Sequence, residues 1–181
     1  MVCHRCIIAV EEVLQQQGVG VEAVELGHAY YRGSLSSEQL HNIENALGEK
    51  GFELLVDRNQ QIIAGIKATI VKYVHHTEHL PENLNISALL SKELQMDYKQ
   101  LSTVFSANET YTIEKFVILQ KIERVKEFLS YNELNLSEIA LKMGYSSVHY
   151  LSSQFKKVTG ITPGVYTKMT VKERKGLDRI L

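Results

Sequence analysis

The chain has 181 residues, of which 44% are hydrophobic and 23% are charged, the composition of a soluble globular protein. No apolar run approaches the roughly 18 residues that cross a membrane, and no export signal opens the chain, which predicts a cytoplasmic protein without a membrane partner. The formal net charge is only −1, yet residues 1–56 hold three basic and eight acidic side chains, whereas residues 142–181 hold eight basic and two acidic. We therefore expect a polyanionic partner at the C-terminal end.

Two cysteines, Cys3 and Cys6, lie within the first six residues. Because two cysteines cannot supply a disulfide framework for a chain of this size, they are expected to be thiols available for ligation or redox chemistry. They precede a predicted helix, whose N-terminal end favours the thiolate form that binds a metal. Two sulfur ligands without further ligands at suitable spacing fit Cu(I) better than a closed zinc site. Metal binding, a loop without a ligand and a redox pair stay open as alternatives.

Residues 1–56 are predicted to form two helices and three strands, in the order helix, strand, strand, helix, strand. The strands are expected at residues 21–26, 28–32 and 52–56, and Gly27 joins the first two as a hairpin. The second helix begins with a capping box of Ser36 and Gln39 and ends at Gly51. The helix positions expected in the core are Ile7, Val10, Leu14, Leu40, Ile43 and Leu47.

This order of elements, after a loop that reads Met-x-Cys-x-x-Cys, resembles the heavy-metal-associated domain. The resemblance implies an α+β ferredoxin-like fold, with Cys3 and Cys6 as ligands of Cu(I) or another soft metal ion. The first strand of the βαββαβ unit is missing, because the chain begins where that strand would end. We expect that the protein starts further upstream, that the sheet is incomplete, or that another chain fills the gap.

Residues 57–81 are predicted to form a helix that ends before Pro81. Asp57 and Gln60 provide its capping box. Its apolar stripe consists of Ile62, Ile66, Ile70 and Val74. His75 and His79 lie four residues apart and form a possible pair of metal ligands. We expect them instead to be solvated histidines, because no third ligand type is nearby.

Residues 86–108 are predicted to form two short helices. The short helices are expected at residues 86–94 and 97–108, with Asp97 or a neighbour capping the second. Leu101, Val104 and Phe105 should face the core.

A second pair of short helices is predicted at residues 136–160. Asn135 and Glu138 form a capping box for the first helix, which ends at Gly144. The second helix opens near Ser147 and stops at Gly160. Its apolar stripe consists of Val148, Leu151, Phe155 and Val158. The opposite side is rich in hydrogen-bonding side chains, which indicates a helix-turn-helix, although a merely solvated face stays open from spacing alone.

Residues 137–166 read SEIALKMGYSSVHYLSSQFKKVTGITPGVY. This stretch resembles the second helix-turn-helix of AraC/XylS-type transcription regulators, whose pattern is I-A-x-x-x-G-[FY]-S-x-x-x-Y-[FL]-S-x-x-F-K-K-x-x-G-x-[ST]-P-x-x-Y. The segment KIERVKEFL at residues 121–129 resembles the connecting helix of that family, which implies a long helix at residues 112–131. Residues 86–108 take the place of its first helix-turn-helix. The resemblance implies double-stranded DNA as a partner. RNA polymerase and a second copy of the chain, in a homodimer, are further candidate partners.

The resemblance also implies which side chains face DNA. The groove-facing residues, by position, are Lys99, Gln100, Ser102 and Thr103 in the first unit and Val148, His149, Ser152 and Ser153 in the second, while Lys156 and Lys157 meet phosphates. The chain departs from the family at residues 105–108, which read Phe-Ser-Ala-Asn where the family has Phe-Lys-Lys. We therefore expect weaker docking by the first unit.

The basic side chains near the C-terminus could add phosphate contacts or belong to a solvated end, and both alternatives stay open. They are Lys168, Lys172, Arg174, Lys175 and Arg179. The predicted architecture is an α+β ferredoxin-like module at residues 1–56 that lacks its first strand, followed at residues 57–170 by an all-α domain with two helix-turn-helix motifs, and a basic tail at residues 171–181.

The predicted function is sequence-specific DNA binding that regulates transcription, with a soft metal at Cys3 and Cys6 as the signal. The chain shows no Ser/His/Asp set, no glycine loop that cradles phosphate and no pair of carboxylates in an apolar setting, so it is not expected to be an enzyme. The alternatives are a metal-binding or protein-interaction module without DNA binding, and a CxxC thiol oxidoreductase.

Overall fold

The computed structural model describes residues 1–55, 57–82, 84–169 and 174–176. Its helices are α1 (His4–Gln16), α2 (Ser37–Glu49), α3 (Arg58–His76), α4 (Ile86–Leu94), α5 (Tyr98–Asn108), α6 (Ile113–Tyr131), α7 (Leu136–Lys142), α8 (Val148–Thr159) and α9 (Pro163–Lys168), and its strands are β1 (Val21–Glu25) and β2 (His28–Tyr31). Within the described residues, no helix is long and apolar enough to cross a membrane.

The contacts within the chain divide it into an N-terminal module, Met1–Ala68, and a C-terminal module, Thr69–Leu181. The division falls inside α3, whereas the sequence predicts a boundary after residue 56. That earlier boundary stays a prediction.

The N-terminal module is built on an antiparallel hairpin and two helices. Strands β1 and β2 pair through a turn at Gly27, whose φ of 91° lies in the left-handed region that glycine tolerates. The capping box of Ser36 and Gln39 at the start of α2 is confirmed. Apolar side chains from α1 and α2 meet in one small core, which consists of Val10, Val13, Leu14, Val19, Ile43 and Leu47.

Two expectations for this module are wrong. The strand predicted at residues 52–56 is not formed over residues 52–55, and Val56 lies outside the described residues. The backbone N–H of Phe52 donates instead to the carbonyl of Leu47, so this segment closes α2 rather than joining a ladder. In the described part of the chain the sheet therefore has two strands, and the ferredoxin-like fold is not confirmed. Leu40, expected in the core, is exposed.

Helix α3 begins as the sequence predicts, because the backbone N–H of Gln60 donates to Asp57 Oδ1 at 3.0 Å. The prediction that His75 is solvated is wrong. His75 is 7% exposed, and its Nε2–H donates to Oε1 of Gln120 on α6 at 2.8 Å. Burial lowers the pKa of His75 to about 4, although the hydrogen bond that His75 donates to Gln120 raises the pKa and so partly opposes this shift. His79 lies beyond the end of α3 and is exposed.

The C-terminal module consists of two short helix pairs that pack against the long helix α6. We call α4–α5 the first helix pair and α7–α8 the second helix pair. The buried face of α6 is lined by Ile113, Phe116, Val117, Ile122, Val125 and Leu129. Helices α5, α8 and α9 all contact α6, so this helix is the common support on which both helix pairs rest.

The turn of the second helix pair is packed against residues 80–81. The backbone N–H of Leu80 donates to the carbonyl of Lys142 at 2.9 Å. Gly144 has a φ of 63°, and a Cβ atom at this position would lie 2.5 Å from the carbonyl oxygen of Pro81. Both the backbone conformation and the space therefore require glycine in this turn.

Candidate nucleic-acid interface

Helix α8 has the boundaries and the buried stripe that the sequence predicts. Its N-cap is Ser147, whose Oγ accepts from the backbone N–H of Tyr150 at 3.1 Å, and its C-cap is Gly160, with a φ of 83°. Leu151 and Phe155 are fully buried against the rest of the module. This stripe fixes which side of α8 faces outward, since residues near positions i+2 and i+5 from a buried residue point away from it.

The outward side of α8 is polar and basic. His149, Ser153, Lys156 and Lys157 are exposed, whereas Val148 and Ser152, which the sequence also predicts to face DNA, are half-buried on its flank. The structure thus places all six predicted side chains on one helix, with four of them exposed. A helix of this kind can offer hydrogen bonds to base edges while its lysines neutralise phosphates.

Helix α5 presents a similar but less charged side. Its N-cap is Asp97, and Leu101 and Phe105 are fully buried. Of the predicted DNA-facing residues, Lys99, Gln100 and Thr103 are exposed and Ser102 is half-buried. The hydroxyl of Thr103 donates to the carbonyl of Lys99 at 2.8 Å, so its donor is already used within the helix.

The two helix pairs can be aligned through their buried residues, because Leu101 and Phe105 on α5 correspond in spacing to Leu151 and Phe155 on α8. By this alignment Lys99 corresponds to His149 and Gln100 to Tyr150, while Ser106 and Ala107 stand in the places of Lys156 and Lys157. The sequence predicts a specific DNA contact for Gln100, but it places Tyr150, which is 53% exposed, only among the hydrogen-bonding residues of α8. The repeated spacing of the two helices was the signal that could have identified it.

A buried aromatic residue connects α8 with α6. The hydroxyl of Tyr145 donates to Gln154 Oε1 on α8 at 2.6 Å, and Nζ of Lys121 on α6 lies 4.6 Å from the centroid of its ring. Burial raises the pKa of Tyr145, and burial lowers the pKa of Lys121 to about 8. The ring of Tyr145 also meets the ring of Tyr150 edge to face, with centroids 5.8 Å apart.

The basic residues beyond α9 are only partly described. Nη2 of Arg174 lies 3.8 Å from Oε2 of Glu127, and the backbone N–H of Lys175 donates to Oε1 of Glu123 at 2.8 Å. Both acceptors belong to α6, so Arg174 and Lys175 are docked on that helix. Lys168 is exposed at the end of α9. Lys172 and Arg179, for which the sequence leaves phosphate contacts open, lie outside the described residues.

The two cysteines come together at the start of α1. Their Sγ atoms are 3.6 Å apart, and Cys3 occupies the N-cap position. Burial raises the pKa of Cys6, but hydrogen bonds from the Val2 backbone and from Cys3 outweigh it, so the net pKa is lowered. Within the described residues, no group of three or more His, Cys, Asp or Glu side chains could hold a metal ion.

Comparison with known proteins finds similarity in the helical part of the C-terminal module. Residues 90–169 match the model of a protein family described as a helix-turn-helix domain. Two relatives in Bacillus subtilis (strain 168) are uncharacterized HTH-type transcriptional regulators. YdeC is 24% identical over 119 residues, which cover 66% of this chain and 40% of YdeC, and YfiF is 28% identical over 96 residues, which cover 53% of this chain and 30% of YfiF. The chain thus spans less than half the length of these relatives.

Two solved structures share this fold. The C-terminal domain of AraT, a response regulator from Geobacillus stearothermophilus, superimposes with a TM-score of 0.54 at 23% identity and covers 66% of this chain and 95% of that one. A DNA-binding transcriptional dual regulator from Escherichia coli K-12 gives a TM-score of 0.52 at 18% identity, over 64% of this chain and 96% of that one. The matched family segment does not reach the N-terminal module, so the resemblance of residues 1–56 to the heavy-metal-associated domain is unsupported. Residues 90–169 are therefore similar in sequence to a helix-turn-helix domain and share their fold with these two structures.

Proposed function

We propose that the chain is a sequence-specific DNA-binding regulator of transcription, and that α8 enters the major groove. The observation that carries this proposal is the composition of α8. Its buried stripe of Leu151 and Phe155 leaves an outward side of His149, Ser153 and two lysines, all exposed. His149 and Ser153, with Val148 and Ser152 at their flank, are proposed to contact base edges, and Lys156 and Lys157 to contact phosphates.

The first helix pair is proposed to dock more weakly, through Lys99, Gln100, Ser102 and Thr103. Ser106 and Ala107 provide no charge where α8 has two lysines, so the electrostatic part of the affinity is smaller on this side. The hydroxyl of Thr103 is bonded within its own helix, which reduces what it can offer to a base.

The proposal is tested by measuring binding to the DNA upstream of the chain's own coding region, by fluorescence anisotropy over a range of salt concentrations. The parent chain should bind a specific duplex more tightly than a scrambled duplex of the same composition. The Lys156→Gln/Lys157→Gln variant should bind both duplexes more weakly, and the slope of log K against log salt should fall by about 0.9 for each lysine that meets a phosphate.

A matched control removes the same charge elsewhere. Lys50 and Lys72 are exposed and lie outside both helix pairs, so the Lys50→Gln/Lys72→Gln variant should keep the parent's slope. Equal slopes for the parent and the Lys156→Gln/Lys157→Gln variant would mean that those lysines do not meet phosphate. If the parent chain binds neither duplex at low salt, a protein-interaction module would be favoured instead.

We also propose that Cys3 and Cys6 bind a soft metal ion such as Cu(I), and that this ion is the regulatory signal. The distance of 3.6 Å between the two Sγ atoms supports this, because both thiols lie on one side of the start of α1. Two thiols suit a soft ion of low coordination number better than Zn²⁺, which takes four ligands in structural sites.

An anaerobic competition titration with Cu(I) and a chromophoric chelator tests the metal proposal. The parent should withdraw one ion from the chelator, and the Cys3→Ser/Cys6→Ser variant should withdraw none. The His4→Gln variant is a suitable control, since His4 is an exposed neighbour of the pair. Equal uptake by the parent and the double-serine variant would end the metal proposal.

A further inference from the structure

Tyr150 is an exposed aromatic residue on α8 to which the sequence assigns no specific contact. Its side chain is 53% exposed, although it lies between the N-cap and the fully buried Leu151. It occupies the place on α8 that Gln100 occupies on α5, at the edge of the outward side. A phenol at this edge combines an apolar ring with a hydroxyl that can donate to an oxygen acceptor.

The ring of Tyr150 packs against the buried ring of Tyr145. Tyr145, which is 7% exposed, meets it edge to face with centroids 5.8 Å apart. Tyr145 is fixed on its other sides by its hydroxyl bond to Gln154 and by Lys121 above its ring. Because Gln154 and Lys121 both fix Tyr145, the Tyr150 ring rests on a rigid support, and less conformational entropy is lost when it makes a contact.

We propose that Tyr150 is a further DNA-contacting residue, whose hydroxyl donates to a phosphate oxygen at the edge of the groove, and that Tyr145 is the residue that positions its ring. This inference rests on the proposed entry of α8 into the major groove. A phosphate is the acceptor that fits, since Tyr150 lies at the edge of the outward side while His149 and Ser153 occupy its middle. The contact adds affinity without adding charge.

The first test compares Tyr150→Phe with the parent chain in the anisotropy assay. Losing one hydrogen bond from an uncharged donor to a charged phosphate should weaken binding to the specific duplex by about tenfold or more. The slope of log K against log salt should not change, because a neutral phenol releases no counterion. Tyr131→Phe is the matched control, since Tyr131 is a 61% exposed tyrosine on α6 whose hydroxyl bonds Glu127 instead. It should bind as the parent does.

The second test is nitration of tyrosines with tetranitromethane, followed by peptide mass spectrometry, with and without the specific duplex. DNA should slow the nitration of Tyr150 several-fold and leave the nitration of Tyr131 unchanged. A folded Tyr150→Phe variant that binds as tightly as the parent, together with no protection of Tyr150, would overturn the inference. Absence of DNA binding by the parent itself would instead refute the proposed function.

The positioning role of Tyr145 is tested by a double-mutant cycle. Tyr145→Leu removes the supporting ring and should weaken DNA binding in the parent background more than in the Tyr150→Phe background, because the two residues act as a unit. Tyr145→Phe keeps the ring and should leave the contribution of the Tyr150 hydroxyl intact. Equal effects of Tyr145→Leu in both backgrounds would show that Tyr145 does not act through Tyr150.

Discussion

The two helix pairs of the C-terminal module have the same core and different surfaces. Each buries a leucine and a phenylalanine four residues apart on its second helix, Leu101 with Phe105 and Leu151 with Phe155. The outward sides differ just after the phenylalanine, where α5 has Ser106 and Ala107 and α8 has two lysines. Packing on α6 constrains the buried stripe in both pairs, whereas the outward sides have diverged in charge. We therefore expect the pairs to contribute similarly to stability and unequally to DNA affinity.

The turns of the two pairs differ as well. In the second helix pair the left-handed position is Gly144, which lies close to the carbonyls of Leu80 and Pro81. In the first helix pair it is Gln95, with a φ of 51°, so a residue with a Cβ adopts the strained conformation there. Only the second turn is sterically committed to glycine.

The largest effect is expected from Gly144→Ala. The new Cβ would lie 2.5 Å from the carbonyl oxygen of Pro81 in a backbone with a φ of 63°, so strain and overlap act together. We expect a loss of about 3 kcal/mol in the free energy of unfolding, measured with urea. Gly160→Ala is the control, because Gly160 has a φ of 83° but nothing within 4 Å, and it should cost about 1 kcal/mol. Equal losses would contradict the steric role of the Gly144 turn.

The next effect concerns the protonation of His75, which donates a hydrogen bond to Gln120 on α6, the helix against which both pairs pack. His75 has a pKa of about 4 in the folded chain and 6.5 as an unperturbed group, so the unfolded state binds more protons between these values. The contribution of neutral, buried His75 to the free energy of unfolding should therefore be fully present above pH 6.5. It should fall as the pH drops towards 4, with a loss of about 2 kcal/mol at pH 5. Urea titrations at pH 7 and pH 5 measure this loss.

Two variants separate His75 from the other histidines. His75→Gln cannot be protonated, so it should remove most of the difference in stability between pH 7 and pH 5. His149→Gln replaces an exposed histidine on α8 and should retain that difference. If His75→Gln keeps the parent's pH dependence, His75 is not the group that couples protonation to folding. The charged neighbours that act on His75 are Arg124, Glu127 and His76.

Adding lysines to α5 tests whether the different charges of α5 and α8 cause the expected difference in DNA affinity. Ser106→Lys/Ala107→Lys gives α5 the lysines of α8 at two exposed positions. Binding to the specific duplex should become about tenfold tighter at low salt, and the slope against log salt should steepen by about 0.9 for each new phosphate contact. Gln15→Lys/Gln16→Lys adds the same charge to exposed positions of α1 and should leave the slope unchanged. A steeper slope in both variants would point to net charge rather than to the surface of α5.

The smallest effect is expected from Gln95→Gly. Glycine relieves the left-handed backbone of the first turn but increases the entropy of the unfolded chain, so the two effects largely offset each other. We expect a gain of about 0.5 kcal/mol in the free energy of unfolding. Asn132→Gly is the comparison, because Asn132 has a φ of 55° and asparagine tolerates this region better, so its gain should be smaller. A clear loss of stability for Gln95→Gly would mean that its side chain makes a needed contact.

Most of the helical domain could be predicted from local rules. The capping box of Asn135 and Glu138, the N-cap at Ser147 and the C-cap at Gly160 all appear as predicted, because caps depend on residues within one turn of each other. The exposed side of α8 followed from the spacing of its apolar residues. The exposure of the residues at the edge of this side was harder to predict. Val148 and Ser152 are half-buried, because neighbouring elements cover them and the spacing of apolar residues does not reveal those elements.

The sequence by itself determined helices α4 to α8 of the C-terminal module, their caps and turns, and the similarity of residues 90–169 to a helix-turn-helix domain, because these depend on short-range patterns. Tertiary structure alone decided that His75 is buried against Gln120, 45 residues away, and that Lys175 docks on Glu123, 52 residues away. It also decided that residues 52–55 close a helix rather than extend the sheet. A strand needs a partner that offers free backbone groups, and a buried polar side chain needs an acceptor from another element, so neither can be inferred from a local pattern.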